Sequence, residues 1–305
     1  MAPDTLAPVL RIADNGVQVA GGELNVARLS VGDGPPVVIA VHGITSSSRA
    51  WLAVARALDG RAALLAVDLR GRGESRGLPG PYGLTTHVED LLATLDAAGL
   101  ERTVLVGHSL GAYVVARFAV EHPERVRTVV LVDGGLDIPA AAGVDPQVFA
   151  DAFLGPALAR LQMRFESREQ YRAWWGQHPA LNGALADGTI EPADLDAYAD
   201  HDLIGEPPAL RPGISEAAVR ADVLGLVDSR FAHELAVPAR MLVAPRGLAD
   251  EPSPMQPLAE AQAWASEDPG RRAVAPVEDV NHYTITLGRA GAVRVADELA
   301  RVVSA

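Results

Sequence analysis

The chain predicts an α/β fold with a mainly parallel sheet covered by helices on both faces, and three observations carry that expectation. Short apolar runs, PPVVIAVHG at 35–43, AALLAVDLRG at 62–71, the start of RTVLVGHSLG at 102–111 and RVRTVVLVDGG at 125–135, are bounded by proline, glycine or charge. Runs that are apolar throughout fit strands buried on both sides, as parallel strands are. Segments of helical periodicity alternate with them, which is the rhythm of a strand–helix–strand layer fold. Finally, 305 residues of which 49% are hydrophobic and 21% charged supply one large core and exclude a disordered chain.

The elements follow in order. Residues 16–30 (GVQVAGGELNVARLS) alternate around Gly21-Gly22 and read as an opening β-hairpin. After the first parallel strand at 35–43 comes a helix at 49–59, the strand at 62–71, and an amphipathic helix at 85–98 with Thr85 or Thr86 as its expected cap. Residues 102–123 read as strand, sharp turn and helix, and 125–135 as the next strand. From 136 to 235 no strand is predicted; helical pieces, aromatic clusters and Pro/Gly punctuation replace the rhythm. It resumes with VPARMLVAP at 237–245, a helix at 257–266, a strand at 272–277 and a last helix at 289–303. Those C-terminal units are too few to make a core alone. Residues 1–135 and 236–305 are therefore expected to form one core, interrupted by a helical cap at 136–235.

The charge balance, 26 basic against 39 acidic residues for a net −13, argues against a nucleic-acid or anionic-membrane partner. With no cysteine, disulfides, thiolate nucleophiles and cysteine-ligated zinc are excluded. The first residues lack a basic stretch and are broken by Asp4, Arg11 and Asp14, and no apolar run reaches membrane-spanning length. A cytoplasmic protein is the expectation. No Walker lysine, no G-x-G-x-x-G opening a helix and no HExxH occurs, so no cofactor and no catalytic metal are expected.

Gly107-His108-Ser109-Leu110-Gly111 has the form G-x-S-x-G, in which small residues two before and two after a serine permit a tight strand-to-helix turn. Such a turn lifts the hydroxyl clear of the sheet and aims helix N-terminal amides at a developing oxyanion. A second match, Gly73-Glu74-Ser75-Arg76-Gly77, lacks that setting: Ser75 lies among charges, with Pro79 and Gly80 close behind. Ser109 follows Val104-Leu105-Val106 and opens an apolar helix, so it is the candidate nucleophile and Ser75 a loop serine.

Taken together, HGIT at 42–45, DLRGRGES at 68–75, GHSLG at 107–111 and NHYT at 281–284 make the chain resemble the α/β-hydrolase superfamily, specifically its capped members. The resemblance implies an eight-stranded, mostly parallel sheet and a nucleophile–acid–histidine triad. It also implies an oxyanion-hole loop after the first parallel strand, with Ile44 giving one backbone N–H and Leu110 the other. His42 is expected to brace that loop, and DLRGRGES to be a structural loop beside the site.

A serine hydroxyl needs a histidine to take its proton, and the histidine needs a carboxylate to fix its tautomer. His282 follows a late strand and precedes the last helix, in the chain order Ser, acid, His expected of the fold. His233, at the end of the cap, is its rival. His108 is expected to pack or hydrogen-bond inside the elbow, and His87, His122, His178 and His201 to be helix-surface or cap residues. Asp250, in PRGLAD after the 237–245 strand, resembles the common position of the acid, with Glu251 beside it. Asp133, ending VVLVDGG, is the alternative acid, while Asp222 reads as a capping or pairing residue.

A serine at the nucleophile position points to acyl chemistry. The expected reaction is hydrolysis of a carboxylic ester or thioester of a hydrophobic small molecule. Cyclase, C–C hydrolase or lyase, and acyltransferase chemistry on the same triad are alternatives, as is a non-catalytic ligand-binding protein. Trp174 and Trp175, among the cap aromatics, are the candidate substrate contacts. Arg164 and Arg168 could meet an acidic substrate group but are expected at the solvated surface. The sequence does not fix the oligomeric state.

Overall fold

The computed structural model describes residues 10–32, 37–138, 143–227 and 229–305. Pro35, Pro36 and the first nine residues, on which parts of the reading above rest, lie outside them. The opening hairpin is β1 (Leu10–Val19) and β2 (Gly22–Val31), turning at Gly21 and Gly22 with φ of 88° and 148°. Only glycine adopts such values without strain. There follow β3 (Val37–Val41), α1 (Leu52–Leu58), β4 (Ala63–Val67), α2 (Leu84–Ala97), β5 (Thr103–His108), α3 (Leu110–Glu121) and β6 (Val126–Val132). The middle segment holds α4 (Pro146–Leu161), α5 (Arg168–Gly176), α6 (Pro179–Ala186), α7 (Pro192–Asp202), β7 (Leu203–Ile204), β8 (Arg211–Pro212), α8 (Glu216–Leu224) and α9 (Phe231–Glu234). The chain closes with β9 (Ala239–Val243), α10 (Leu258–Glu267), β10 (Arg272–Pro276), α11 (Thr284–Leu287) and α12 (Arg289–Val303).

Eight strands make one sheet in the order β1-β2-β4-β3-β5-β6-β9-β10. Every neighbouring pair from β4 to β10 is parallel, and antiparallel pairing is confined to β1–β2 and β2–β4. This is the α/β-hydrolase fold that the motifs implied. The order reverses around β3, which lies between β4 and β5; beyond the strand C-termini at such a point open parallel sheets hold their ligands.

Strand side chains alternate between faces. Ile39 and Val41 join Leu91 of α2, Phe118 of α3 and Trp264 of α10 on one side of the sheet. Val38 and Ala40 join Leu58 of α1 and Leu299 of α12 on the other. Each fully buried leucine or valine contributes roughly 1.5–3 kcal/mol, so the two-sided burial explains why these strands are apolar throughout.

Two local expectations are corrected. The residue before α2 is Gly83, at φ 110°, with no side-chain cap, and Thr86 is buried within the first turn. The middle segment is not free of strands: β7 and β8 pair antiparallel through Leu203–Pro212 and Ile204–Arg211. Two residues each, closed by Gly205 at φ 93° and ended by a proline, are too short to leave a periodic signal. The middle segment also splits its apolar contacts. Tyr171, Trp175, Leu181 and Tyr198 form a cluster of their own, whereas Phe149, Leu154 and Val219 of α4 and α8 belong to the sheet's core. Among the described residues no helix is long and apolar enough to cross a membrane.

Candidate active site

Ser109 sits between β5 and α3 at φ 53°, ψ −121°, a conformation that residues with a side chain seldom hold. The surrounding glycines make the bend possible. A Cβ at Gly107 would lie 2.1 Å from the Gly111 carbonyl oxygen, and one at Gly111 would lie 2.1 Å from the Val41 oxygen. Gly134 is similarly tight, since a Cβ there would be 2.7 Å from the Ser109 carbonyl oxygen. The bend is tied to its neighbour strand by the Ser109 N–H, which donates to Val132 O at 3.0 Å. Ser75 lies elsewhere, buried, with its Oγ accepting from the Asn25 N–H at 2.8 Å.

Sheet register decides which groups meet this serine. Gly107 pairs with Val41 on one side and His108 with Val132 on the other, so the ends of β3 and β6 flank the elbow. Asp133, the next residue after β6, is buried at φ 47°. Its Oδ1 accepts from the Ala244 N–H at 3.0 Å, and its Oδ2 accepts from His282 Nδ1 at 2.6 Å. His282 is buried too; its N–H donates to Arg246 O, and its own carbonyl accepts from His108 Nε2 at 2.9 Å. Burial holds His108 neutral, well below the usual histidine range.

The carboxylate on His282 is therefore that of Asp133 and not of Asp250, contrary to the first choice made from the sequence. Asp250 is half in solvent, with Oδ1 accepting from Arg246 Nε at 2.7 Å and from Asn281 Nδ2 at 2.9 Å. It stops one residue short, on the neighbour of His282. Glu251 accepts from the Ala249 N–H within its own loop, and Asp222 pairs with Arg72 and His87. His233 is bound to Glu267 at 2.9 Å, away from the elbow.

The loop after β3 is a turn in which Ser46 N–H donates to Gly43 O. His42 is fully buried; its Nδ1–H donates to Gly43 O at 2.7 Å while Nε2 accepts from Leu69 N–H at 3.0 Å. Burial pushes its pKa down to about 4, which keeps this tautomer neutral. Gly43 O belongs to the same peptide plane as the Ile44 N–H, so His42 sets the direction of that donor. One plane further on, Arg72 Nε donates to Ile44 O at 2.9 Å, and Arg72 is paired with buried Asp222 at 2.6 Å. His87, expected on a helix surface, is instead fully buried against Asp222 at 3.0 Å. The Leu110 N–H opens α3 and has no acceptor within the helix.

Between the sheet edge and the middle segment lies a cavity of about 370 Å³. Ile44, His108, Ser109 and His282 line one side; Phe153, Leu154, Arg160, Trp174, Trp175 and Tyr198 line the other. Leu248, Ala249 and Tyr283 complete the wall. Trp174 and Trp175 both reach it, although Trp175 is only 2% exposed and doubles as core. Arg164 and Arg168 do not: the first donates to the Gln162 and Met163 carbonyls, the second faces Asp200 at the surface. Sequence reasoning missed Arg160, a buried cation held by Asp202 and the Tyr171 hydroxyl. Its signal was an isolated charge in the otherwise apolar stretch FLGPALARL. Of the remaining histidines, His178 lines the cavity, His201 hydrogen-bonds buried Asp68 at 2.7 Å, and His122 faces Glu124 at 3.8 Å.

A family model described as alpha/beta hydrolase fold matches residues 36–182. Over 106 residues the chain is 41% identical to "Putative carbamate hydrolase RutD" of Klebsiella pneumoniae (strain 342), a match covering 34% of this chain and 40% of that protein. The chain thus spans about two fifths of that relative's length. It is 30% identical to "Lipase LipV" of Mycobacterium tuberculosis (strain ATCC 25618 / H37Rv) over 61% of this chain and 64% of that one. Among solved structures, E-2-(acetamidomethylene)succinate hydrolase superposes over 97% of this chain and 100% of its own, with TM-score 0.74 at 20% identity. That likeness is one of fold. Strand order, elbow geometry, the family model and the superposition agree on one architecture: the chain has the alpha/beta-hydrolase fold.

Proposed function

We propose that the chain is a serine hydrolase that cleaves a carboxylic ester or thioester of a hydrophobic small molecule, with residues 136–235 as the cap over its site. The observation that carries this reading is the buried His282–Asp133 hydrogen bond of 2.6 Å on the same cavity as Ser109. Because His282 Nδ1 carries its proton toward Asp133, Nε2 is left as the acceptor that a serine hydroxyl requires. Ser109 Oγ attacks the carbonyl carbon as its proton passes to His282. The oxyanion is held by the Ile44 and Leu110 N–H groups, each such donor contributing roughly 3–4 kcal/mol in transition-state stabilisation. The imidazolium, stabilised by Asp133, gives its proton to the departing alcohol or thiol. Water then attacks the acyl-Ser109 ester by the reverse sequence and releases the acid.

The names carried by the relatives, a carbamate hydrolase and a lipase, support carbonyl cleavage as the shared chemistry. The aromatic lining from Phe153, Trp174 and Trp175 supports an apolar acyl group. A fluorophosphonate probe with p-nitrophenyl esters of graded chain length tests the reading. Wild type is expected to label and turn over, and Ser109→Ala to do neither. A folded wild type that fails to label refutes the proposal, and acylation without release to water moves the reaction to acyl transfer.

A further inference from the structure

Two residues of the loop after β3 are held directly from the middle segment of the chain, and a third is held through Arg72. Arg160 of α4 donates from its Nη2 to Thr45 O at 3.2 Å. The phenol of Tyr198, on α7, interacts with the Ser46 side chain. Ile44 O is held by Arg72, whose buried carboxylate partner, Asp222, comes from α8. The grip of Arg160 is itself fixed: its Nη1 donates to Asp202 and to the Tyr171 hydroxyl, and its guanidinium lies over the Trp175 ring at 5.0 Å. Burial alone would lower its pKa, but the facing Tyr171 and Asp202 keep it charged.

Resting on the acyl-enzyme reading above, we propose that Arg160 is a positioning residue for the oxyanion hole, so that the segment expected to cover the site also builds its catalytic loop. The physical basis is the peptide plane. A carbonyl bound by a guanidinium cannot rotate without breaking a charge-assisted bond, and the neighbouring N–H groups are held with it. Thr45 O lies two peptide planes from the Ile44 N–H, and Ile44 O lies between them. Arg160 and Arg72 restrict both following planes, while His42 holds the plane of the donor itself. An arginine suits this role because its planar fork spans Asp202 and Thr45 at once, which a lysine ammonium does not do in a fixed geometry. The middle segment cannot lift away from the sheet edge as one body without letting go of this loop.

The test separates positioning from substrate binding and from folding. Wild type, Arg160→Met and Arg160→Lys are compared for kcat and KM on a short p-nitrophenyl ester that does not fill the cavity. Inhibition by an alkylboronic acid, which forms a tetrahedral oxyanion on a nucleophilic serine, is measured in parallel. Loosening an oxyanion donor is expected to lower kcat about 10- to 100-fold with KM within about threefold. The boronic acid weakens by a similar factor. Arg160→Lys keeps a cation for Asp202, folds, and gives an intermediate loss, so it carries the test if Arg160→Met does not fold. A raised KM with unchanged kcat would make Arg160 a substrate contact and overturn the inference. So would unchanged boronic-acid affinity in either folded variant. If wild type neither turns over nor binds the boronic acid, the acyl-enzyme reading fails first and takes this one with it.

Discussion

Replacing Asp133 by asparagine should abolish turnover through the tautomer of His282 rather than through packing. The wild-type carboxylate accepts two hydrogen bonds, from the Ala244 N–H at 3.0 Å and from His282 Nδ1 at 2.6 Å. An asparagine has one oxygen for two donors. The Ala244 N–H is a fixed backbone donor beside β9 and cannot become an acceptor, so the amide oxygen turns toward it. The amide NH₂ then faces His282 Nδ1, which must give up its proton, and the proton moves to Nε2, where the serine hydroxyl needs an acceptor. In serine-protease triads that misassignment lowers kcat by about 10⁴, equivalent to about 5.5 kcal/mol in activation free energy. Asp250→Asn loses a half-exposed contact with Arg246, worth about 0.5 kcal/mol or less, and should leave kcat within about threefold. Initial rates at saturating ester, with thermal unfolding to confirm both variants fold, decide the matter. Wild-type kcat in Asp133→Asn together with a collapse in Asp250→Asn would refute the reasoning.

Other consequences follow from the same geometry. Gly111→Ala sets a Cβ 2.1 Å from the Val41 carbonyl oxygen, a backbone atom that cannot move aside; a loss of about 3 kcal/mol or more is expected in denaturant titration, and an unchanged midpoint would contradict the elbow packing. Trp175→Ala should cost about 3–5 kcal/mol in stability because the ring is core; Trp174→Ala, half-buried on the cavity, should raise KM for bulky esters with little change in midpoint. His42 has its folded pKa depressed by burial from 6.5 to about 4, so its neutral form stabilises the fold fully above pH 6.5 and that contribution is lost as pH falls from 6.5 to 4. At about 1.4 kcal/mol per unit the loss approaches about 3 kcal/mol, and His42→Gln should flatten the wild-type stability slope across that window; equal slopes would exclude it.

Much of the molecule was legible because its signals are local. Buried parallel strands are continuous apolar runs, and β3, β4, β5, β6, β9 and β10 fall where those runs are. The last helix spans 289–303 as its periodicity predicts. Ser109 was readable because glycines at 107 and 111 are needed within five residues of one another. What escaped depends on partners far away in sequence. His87 looks like a surface histidine until Asp222, 135 residues later, is seen against it. Arg160 gains its meaning only from Asp202 and Thr45. The Gly83 start of α2 replaced the threonine cap because Thr86 is drawn into the buried face.

The identity of the carboxylate shows the limit most clearly, because it is set by register and not by residue type. Asp133 and Asp250 both follow a strand and both stand at positive φ, 47° and 67°. Nothing in either short segment distinguishes them. In the sheet, however, β6 adjoins the elbow strand and β9 lies one strand further out, so a carboxylate at the tip of β6 reaches His282 directly while one in the loop after β9 reaches Asn281. That choice also redistributes work around the cavity. With the His282 carboxylate supplied from β6, the loop after β9 meets the cavity through Leu248 and Ala249. Asp250 anchors the loop through Arg246 and Asn281, the two residues paired in the isolated bridge that joins it to the His282 segment. The carboxylate that meets His282 and the residues that line the apolar wall thus both follow from the order of the strands.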